Sequence, residues 1–252
     1  MQIKSEAERS LARESGKRLA KVLREVEKLV KPDVSAIELD RLAQKLIREG
    51  GDLPIFKNQK NESGMLYPAS LCVSVNDEAV HAIPAEKKIL KVGDIVGLDI
   101  GLSHKGVITD MATTLAVGKI SKEAQKLLDA THEALSAGIG AAKAGNRVGD
   151  IGAAVEGVAK KYGVRILKDL AGHGVGKSLH EDPFVPNFGK AGRGGVLKAG
   201  MMIAIEPIFS IGSEEIILGE DGWTLSTADG SLAAQFEHTI IIGDGDAEII
   251  TK

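Results

Sequence analysis

A single cysteine, Cys72, stands in 252 residues, so the chain can form no internal disulfide and no structural zinc finger. A reducing cytoplasm is the compartment this fits. Aromatic residues make up 3% of the chain, which singles out Trp223 and the tyrosines Tyr67 and Tyr162 as candidate pocket walls. Neither sign of charge dominates: 32 Lys and Arg against 35 Asp and Glu give a net charge of -3, with no basic footprint for nucleic acid. No apolar run approaches the roughly 18 residues a membrane-spanning helix needs. The opening MQIKSEAERS also has no apolar core of the kind a secretory signal requires. What is present is 43% hydrophobic residues over a length that can bury a sizeable core.

Hydrophobic spacing predicts four helices. Leu11, Leu19, Val22, Leu23, Val26 and Leu29 form one apolar stripe between residues 4 and 30, and Pro32 ends it. Ser35 and Glu38 have capping-box spacing ahead of a second helix through Ile37, Leu39, Leu42, Leu46 and Ile47, stopped at Gly50-Gly51. A third is expected from about Ser121 to Ala142, and a fourth from Val148 to Tyr162 with Gly163 closing it. Each long helix leads through a Lys-led link, KPDVS or KAGNR, to a shorter one, which suggests an internal duplication. Strand-like runs lie between and after the pairs: SLCVSV from 70, DIVGLDIGL from 94, VITDMATTLAV from 107, MMIAIEPIF from 201 and AQFEHTIII from 234. Segregated helices and strands predict an α+β fold, a single domain over 1–252 in two like halves of about 1–118 and 119–252.

The stretch AGHGVGKS at 171–178 comes close to a nucleotide-binding loop, but Ala171 replaces the first glycine of that motif. Such a loop also needs a helix behind it to present amides to the phosphate. LHEDPFVPNFG follows instead, and Pro183 and Pro186 would break any such helix.

A different chemistry is written in the strands. Taking the hairpin to turn about the His104-Lys105 bond, Asp99 falls directly opposite Asp110 on one face. Like charges so placed repel, and in mostly apolar surroundings an unpaired carboxylate is costly, so a cation between them is the economical explanation. Glu206 in MMIAIEPIF and Glu237 in AAQFEHTIII are further acids inside apolar strands. His173 adds an imidazole between two glycines, whose small size is expected to let the ring approach a metal closely. Four carboxylates and one histidine suit two divalent ions sharing carboxylates better than a structural zinc.

With these residues in place, the chain resembles the shorter, bacterial type of methionine aminopeptidase, a metallopeptidase of the pita-bread fold. The likeness runs over nearly the whole length, through KPDVSAIELD, SVNDEAVHAIP, GDIVGLDIG, TDMATTLAVG, GHGVGKSLHEDP, KAGMMIAIEPIF and DGWTLSTADGSLAAQFEHTI. The resemblance implies two pseudo-symmetric halves and a central antiparallel sheet covered by helices. It implies that Asp99, Asp110, His173, Glu206 and Glu237 bind two divalent ions, of cobalt, manganese, iron or zinc. Asp110 and Glu237 would bridge, Asp99 would chelate one ion, and His173 with Glu206 would hold the other. Glu206 would also move the proton between attacking water and leaving amine. His81 would stand beside the scissile nitrogen and His180 at the substrate carbonyl. Tyr67, Cys72, Leu179 and Trp223 would form the slot for the methionine side chain; Leu179 stands where an aromatic residue is usual.

The implied substrates are newly made polypeptides beginning with Met and a small second residue. A ribosome contact is open, and the expectation is a monomer acting without nucleic acid or membrane. Prolidases and X-Pro aminopeptidases share the fold and a similar ligand set but usually carry an N-terminal domain, for which helices starting within the first ten residues leave no room. The longer methionine aminopeptidases usually insert a helical segment between the metal histidine and the first glutamate, whereas here 33 positions separate His173 from Glu206. His104 is expected in a turn, His132 on a helix, and His238 on the strand face opposite Glu237.

Overall fold

A computed structural model describes residues 1–252. The helices are α1 (Glu6–Glu27), α2 (Ala36–Glu49), α3 (Lys122–Ala141) and α4 (Val148–Tyr162), within three residues of their expected ends. Their termini follow from local chemistry. Ser5 Oγ accepts from Glu8 N, Glu38 accepts from Ser35 N at 2.9 Å, and Ser121 Oγ accepts from Ala124 N. Gly163 closes α4 in the left-handed conformation, φ +64.

The strands in the first half are β1 (Leu53–Pro54), β2 (Leu71–Val75), β3 (Glu78–Val80), β4 (Ile95–His104) and β5 (Val107–Ala116). After the second helix pair come β6 (Arg165–Ile166), β7 (Ala171–Gly174), β8 (Glu181–Pro186), β9 (Met202–Ile205) and β10 (Ile208–Ser210). The last are β11 (Ile216–Leu218), β12 (Leu225–Thr227), β13 (Ala233–Gln235), β14 (Glu237–Ile241) and β15 (Glu248–Ile249). A nine-stranded sheet has the order β1-β4-β5-β14-β9-β7-β8, with β2 beside β4 and β15 beside β14, all antiparallel. Two three-stranded sheets, β13-β10-β6 and β11-β12-β3, flank it.

Two single runs of the sequence are each two strands in the structure. MMIAIEPIF breaks after Ile205, because Pro207 has no amide to give the ladder, and the chain crosses from the large sheet at β9 to the small one at β10. AQFEHTIII breaks at Phe236 and makes the return crossing, from β13 to β14. Glu206 and Glu237 stand at these two crossings.

The β4–β5 hairpin also departs from expectation. Its turn is Lys105-Gly106, both with positive φ (+49 and +83), which fits the twist of two antiparallel strands and needs a residue such as glycine. His104 therefore pairs with Val107 and is no turn residue: it is buried, with Nδ1 2.6 Å from Asp52 Oδ1. The register moves accordingly. Asp99 faces Ala112, and Asp110 faces Gly101. The shift is two residues, so the two aspartates remain on one face, as diagonal rather than direct neighbours.

Each helix pair covers its own core. Leu19, Leu23, Leu39 and Ile47 from α1 and α2 pack on Leu71, Val73, Leu98 and Ile100 of β2 and β4. Leu127, Leu135, Ile151 and Val155 from α3 and α4 pack on Ile203, Ile205, Phe209 and Ile240. The residues described below lie on the large sheet and on loops flanking it.

Candidate metal centre

Strand register assembles a row of side chains. Cys72 of β2 faces Asp99 of β4, Asp99 faces Ala112 of β5, and Ala112 faces Glu237 of β14. One position beyond the last β14–β9 pair, His238 with Ile205, Glu206 comes beside Glu237. Ala112 is the small member of the row, and Asp110 stands two residues from it on the same strand face. Thr239 fixes that position: its hydroxyl accepts from Asp110 N at 2.9 Å and donates to Asp110 O at 2.7 Å. His173 of β7 completes the set. Ligand atoms of Asp110, His173 and Glu237 lie within 4.8 Å of one another, and His173 Nε2 is 3.4 Å from Glu206 Oε1.

The glycines around His173 have a reason other than the one expected. A Cβ at Gly172 would run into the backbone of Ala204, and one at Gly174 into that of Asp182. They admit the neighbouring strands β9 and β8, and so bring the histidine to the carboxylates by strand packing. The ring's Nδ1 lies 2.9 Å from the carbonyl of Gly174, which can only accept, so Nδ1 carries the proton and Nε2 is left with a lone pair toward the carboxylates.

Electrostatically the cluster is incomplete on its own. Burial pushes the Asp99 carboxyl up to about 7. Asp110, Glu206 and Glu237 are pushed well above the usual carboxylate range, by burial first and by neighbouring carboxylate charge second, that of Asp99 for Asp110 and Glu206 and that of Asp110 for Glu237. Asp99 Oδ1 and Glu237 Oε1 are buried without any hydrogen-bond partner. The only neutral donor on Glu206 is Gln235 Nε2, 3.2 Å from Oε2. Oxygen atoms left unpaired by any protein donor, beside an imidazole lone pair, are a donor set for hard to borderline divalent cations.

A cavity of about 130 Å³ opens on this floor. All eleven residues singled out in the sequence line it: Tyr67, Cys72, His81, Asp99, Asp110, His173, Leu179, His180, Glu206, Trp223 and Glu237. Loops and turns supply much of its rim. His81 follows β3 in the left-handed conformation, φ +59, uncommon for a residue with a Cβ. Burial drives its ring down to about 4, so it is neutral at physiological pH. His180 is likewise lowered by burial and lies edge-on to His173, ring centroids 4.5 Å apart. Tyr67 is 2% exposed, its hydroxyl donates to the Ala82 carbonyl at 3.0 Å, and its ring meets Trp223 edge-on at 5.1 Å. Trp223 sits in a turn built by Asp221, whose Oδ1 accepts from the amides of Trp223 and Thr224.

Phe56, Gln59 and Lys60 also line the cavity and had no signal in the sequence. They come from an irregular stretch with no motif, which packs closely on Gly101: a Cβ there would stand 2.8 Å from Ile55 and 3.0 Å from the Phe56 ring. Gln235 and Thr239, which hold Glu206 and Asp110, were missed for a similar reason, since their partners lie on other strands. His132 and His238 are outside the cavity. His132 packs on Phe236, and His238 meets Thr251 Oγ1 at 3.0 Å.

A profile of Metallopeptidase family M24 matches residues 10–244. The chain is 44% identical over 257 residues to a methionine aminopeptidase of Aquifex aeolicus, covering 100% of this chain and 99% of that one. It is 40% identical over 249 residues to methionine aminopeptidase 1 of Bacillus subtilis, covering 99% and 98%. The crystal structure of methionine aminopeptidase from Thermotoga maritima matches with a TM-score of 0.95 at 40% identity, over the whole of both chains. Prolidase from Pyrococcus furiosus shares the fold at a TM-score of 0.77 and 20% identity, with 99% of this chain set against 65% of that one.

Proposed function

The chain belongs to metallopeptidase family M24, among its methionine aminopeptidases, and from that premise we propose how its residues divide the work. It is a metallo-aminopeptidase that removes the N-terminal methionine of polypeptides. The observation that carries the reading is the single cavity that joins four buried carboxylates and a histidine to an apolar slot. Asp99, Asp110, His173, Glu206 and Glu237 would hold two divalent ions. When bound, such ions lower the pKa of water, anchor the substrate amine and polarise the scissile carbonyl.

The chain's own groups do the rest. Glu206, at the sheet crossing with Oε2 held by Gln235 and Oε1 turned toward His173, takes the proton of the attacking water and delivers it to the leaving amine. His81, neutral and held by its turn, stands beside the scissile nitrogen. His180 binds the substrate carbonyl oxygen. Tyr67, Cys72 and Leu179, joined by Phe56 and Trp223, exclude water from the first side chain and fit one unbranched thioether. A small second residue is the preference that goes with this reading of the site. The same two cores that cover the sheet support a reading of 1–252 as one catalytic domain of two like halves, and newly made cytoplasmic polypeptides are the natural substrates.

The test strips the protein with chelator, resupplies manganese, iron, cobalt or zinc separately, and offers Met-Ala-Ser and Ala-Pro-Ser. Metal-dependent release of methionine from the first alone is expected. Cleavage of the second would move the chain to the X-Pro branch.

A further inference from the structure

Residues 176–180 belong to no helix or strand, yet they bring Leu179 into the cavity wall and His180 to its mouth. The His180 ring makes no hydrogen bond, so its place depends on the backbone that carries it. That backbone is tied at two points. On one side, Ile108 N donates to Gly176 O at 2.7 Å, fastening the turn to β5. On the other, two consecutive amides, Lys177 N and Ser178 N, both donate to Glu181 Oε1, at 2.6 and 2.8 Å. Successive amides converging on one point form an anion-binding concavity. Here the anion is the protein's own carboxylate.

We infer that Glu181 is a positioning residue: its carboxylate fills the concavity of the Lys177-Ser178 turn and thereby sets His180 on the substrate carbonyl and Leu179 against the first side chain. The near-match to a phosphate loop then has a physical basis, because the turn does gather amides around an anion, supplied from within the chain. Glu181 Oε1 alone makes this contact; Oε2 faces the Met1 ammonium at 2.5 Å. The inference rests on the reading of His180 as a substrate-binding group.

The test compares wild type, Glu181→Ala, His180→Ala and the double variant, all metal-loaded. It measures kcat and KM on Met-Ala-Ser with and without formate, metal content, and the ring NMR signals of His180. Glu181→Ala is expected to keep its metal and lose about tenfold in kcat/KM through misplacement of the ring. Formate should recover part of that loss by entering the vacated concavity, and the variant should add a clearly smaller loss in the His180→Ala background, where only Leu179 is left to be misplaced. Glu181→Gln, which keeps one accepting oxygen, should fall between and serves for the same comparison if the alanine variant does not fold. Wild-type kinetics, a loss that formate leaves untouched, or an equal loss with and without His180 would overturn the assignment. The NMR signals separate this from the reading of function. A folded, metal-loaded wild type that releases no methionine defeats that reading, whereas displaced His180 signals in Glu181→Ala still uphold the role of the carboxylate.

Discussion

The floor and the rim of the cavity are built by different means. Asp99, Asp110 and Glu237 lie within strands whose register fixes them, and Glu206 directly follows such a strand. His81, His180, Leu179 and Trp223 hang on turns outside the sheet ladders, held by a few contacts, among them the Glu181 and Asp221 side chains. A sheet resists displacement cooperatively, whereas a turn moves when one contact is lost. The floor therefore suits a task that needs several fixed charges at once, and the rim suits contact with a substrate that must enter and leave.

Substitutions should separate the two. Asp110→Asn strikes the floor, and because an amide cannot supply two anionic oxygens, metal content should fall and kcat/KM drop by more than about a hundredfold. Unchanged metal and activity would dissolve the distinction. At the rim, His81→Ala should keep its metals, measured by atomic emission, while kcat falls by roughly tenfold to a hundredfold. Loss of both metals in that variant would put His81 on the floor.

The floor's charge also has a cost in the chelated protein, visible in pH dependence. Asp99 then titrates at about 7 in the folded chain against 3.8 for a free carboxyl. The folded state holds the proton more tightly, so this group's contribution to stability is fully present below about pH 4 and is lost as the pH rises through about 7. Melting scans with chelator should show a wild-type Tm that falls relative to that of Asp99→Asn across that window, with divalent metal reversing the difference at its upper end. In the same chelated state Glu237→Gln should raise Tm, since one repelling charge is gone. The smallest effect lies away from both regions: Gly106→Ala, at φ +83, should cost about 1 kcal/mol in denaturant unfolding and leave kcat/KM unaltered.

The same contrast explains what the sequence disclosed. Acids inside apolar strand runs are conspicuous, so Asp99, Asp110, Glu206 and Glu237 were visible as a set, and helix ends at Ser121 and Gly163 were written in their capping residues. The hairpin register was not, because turn placement depends on which two residues accept positive φ, and Lys105-Gly106 prevailed over His104-Lys105. The breaks at Pro207 and Phe236 were hidden because two strands on different sheets still read as one apolar run. Phe56 and Gln235 owe their positions to contacts across the chain, which no local pattern records.

The most direct measurement is a metal titration of the stripped wild-type protein, following bound ions per chain and methionine release from Met-Ala-Ser together. The account predicts release that appears with bound metal and saturates at two ions per chain. Methionine release at full rate from protein proven free of metal would contradict it.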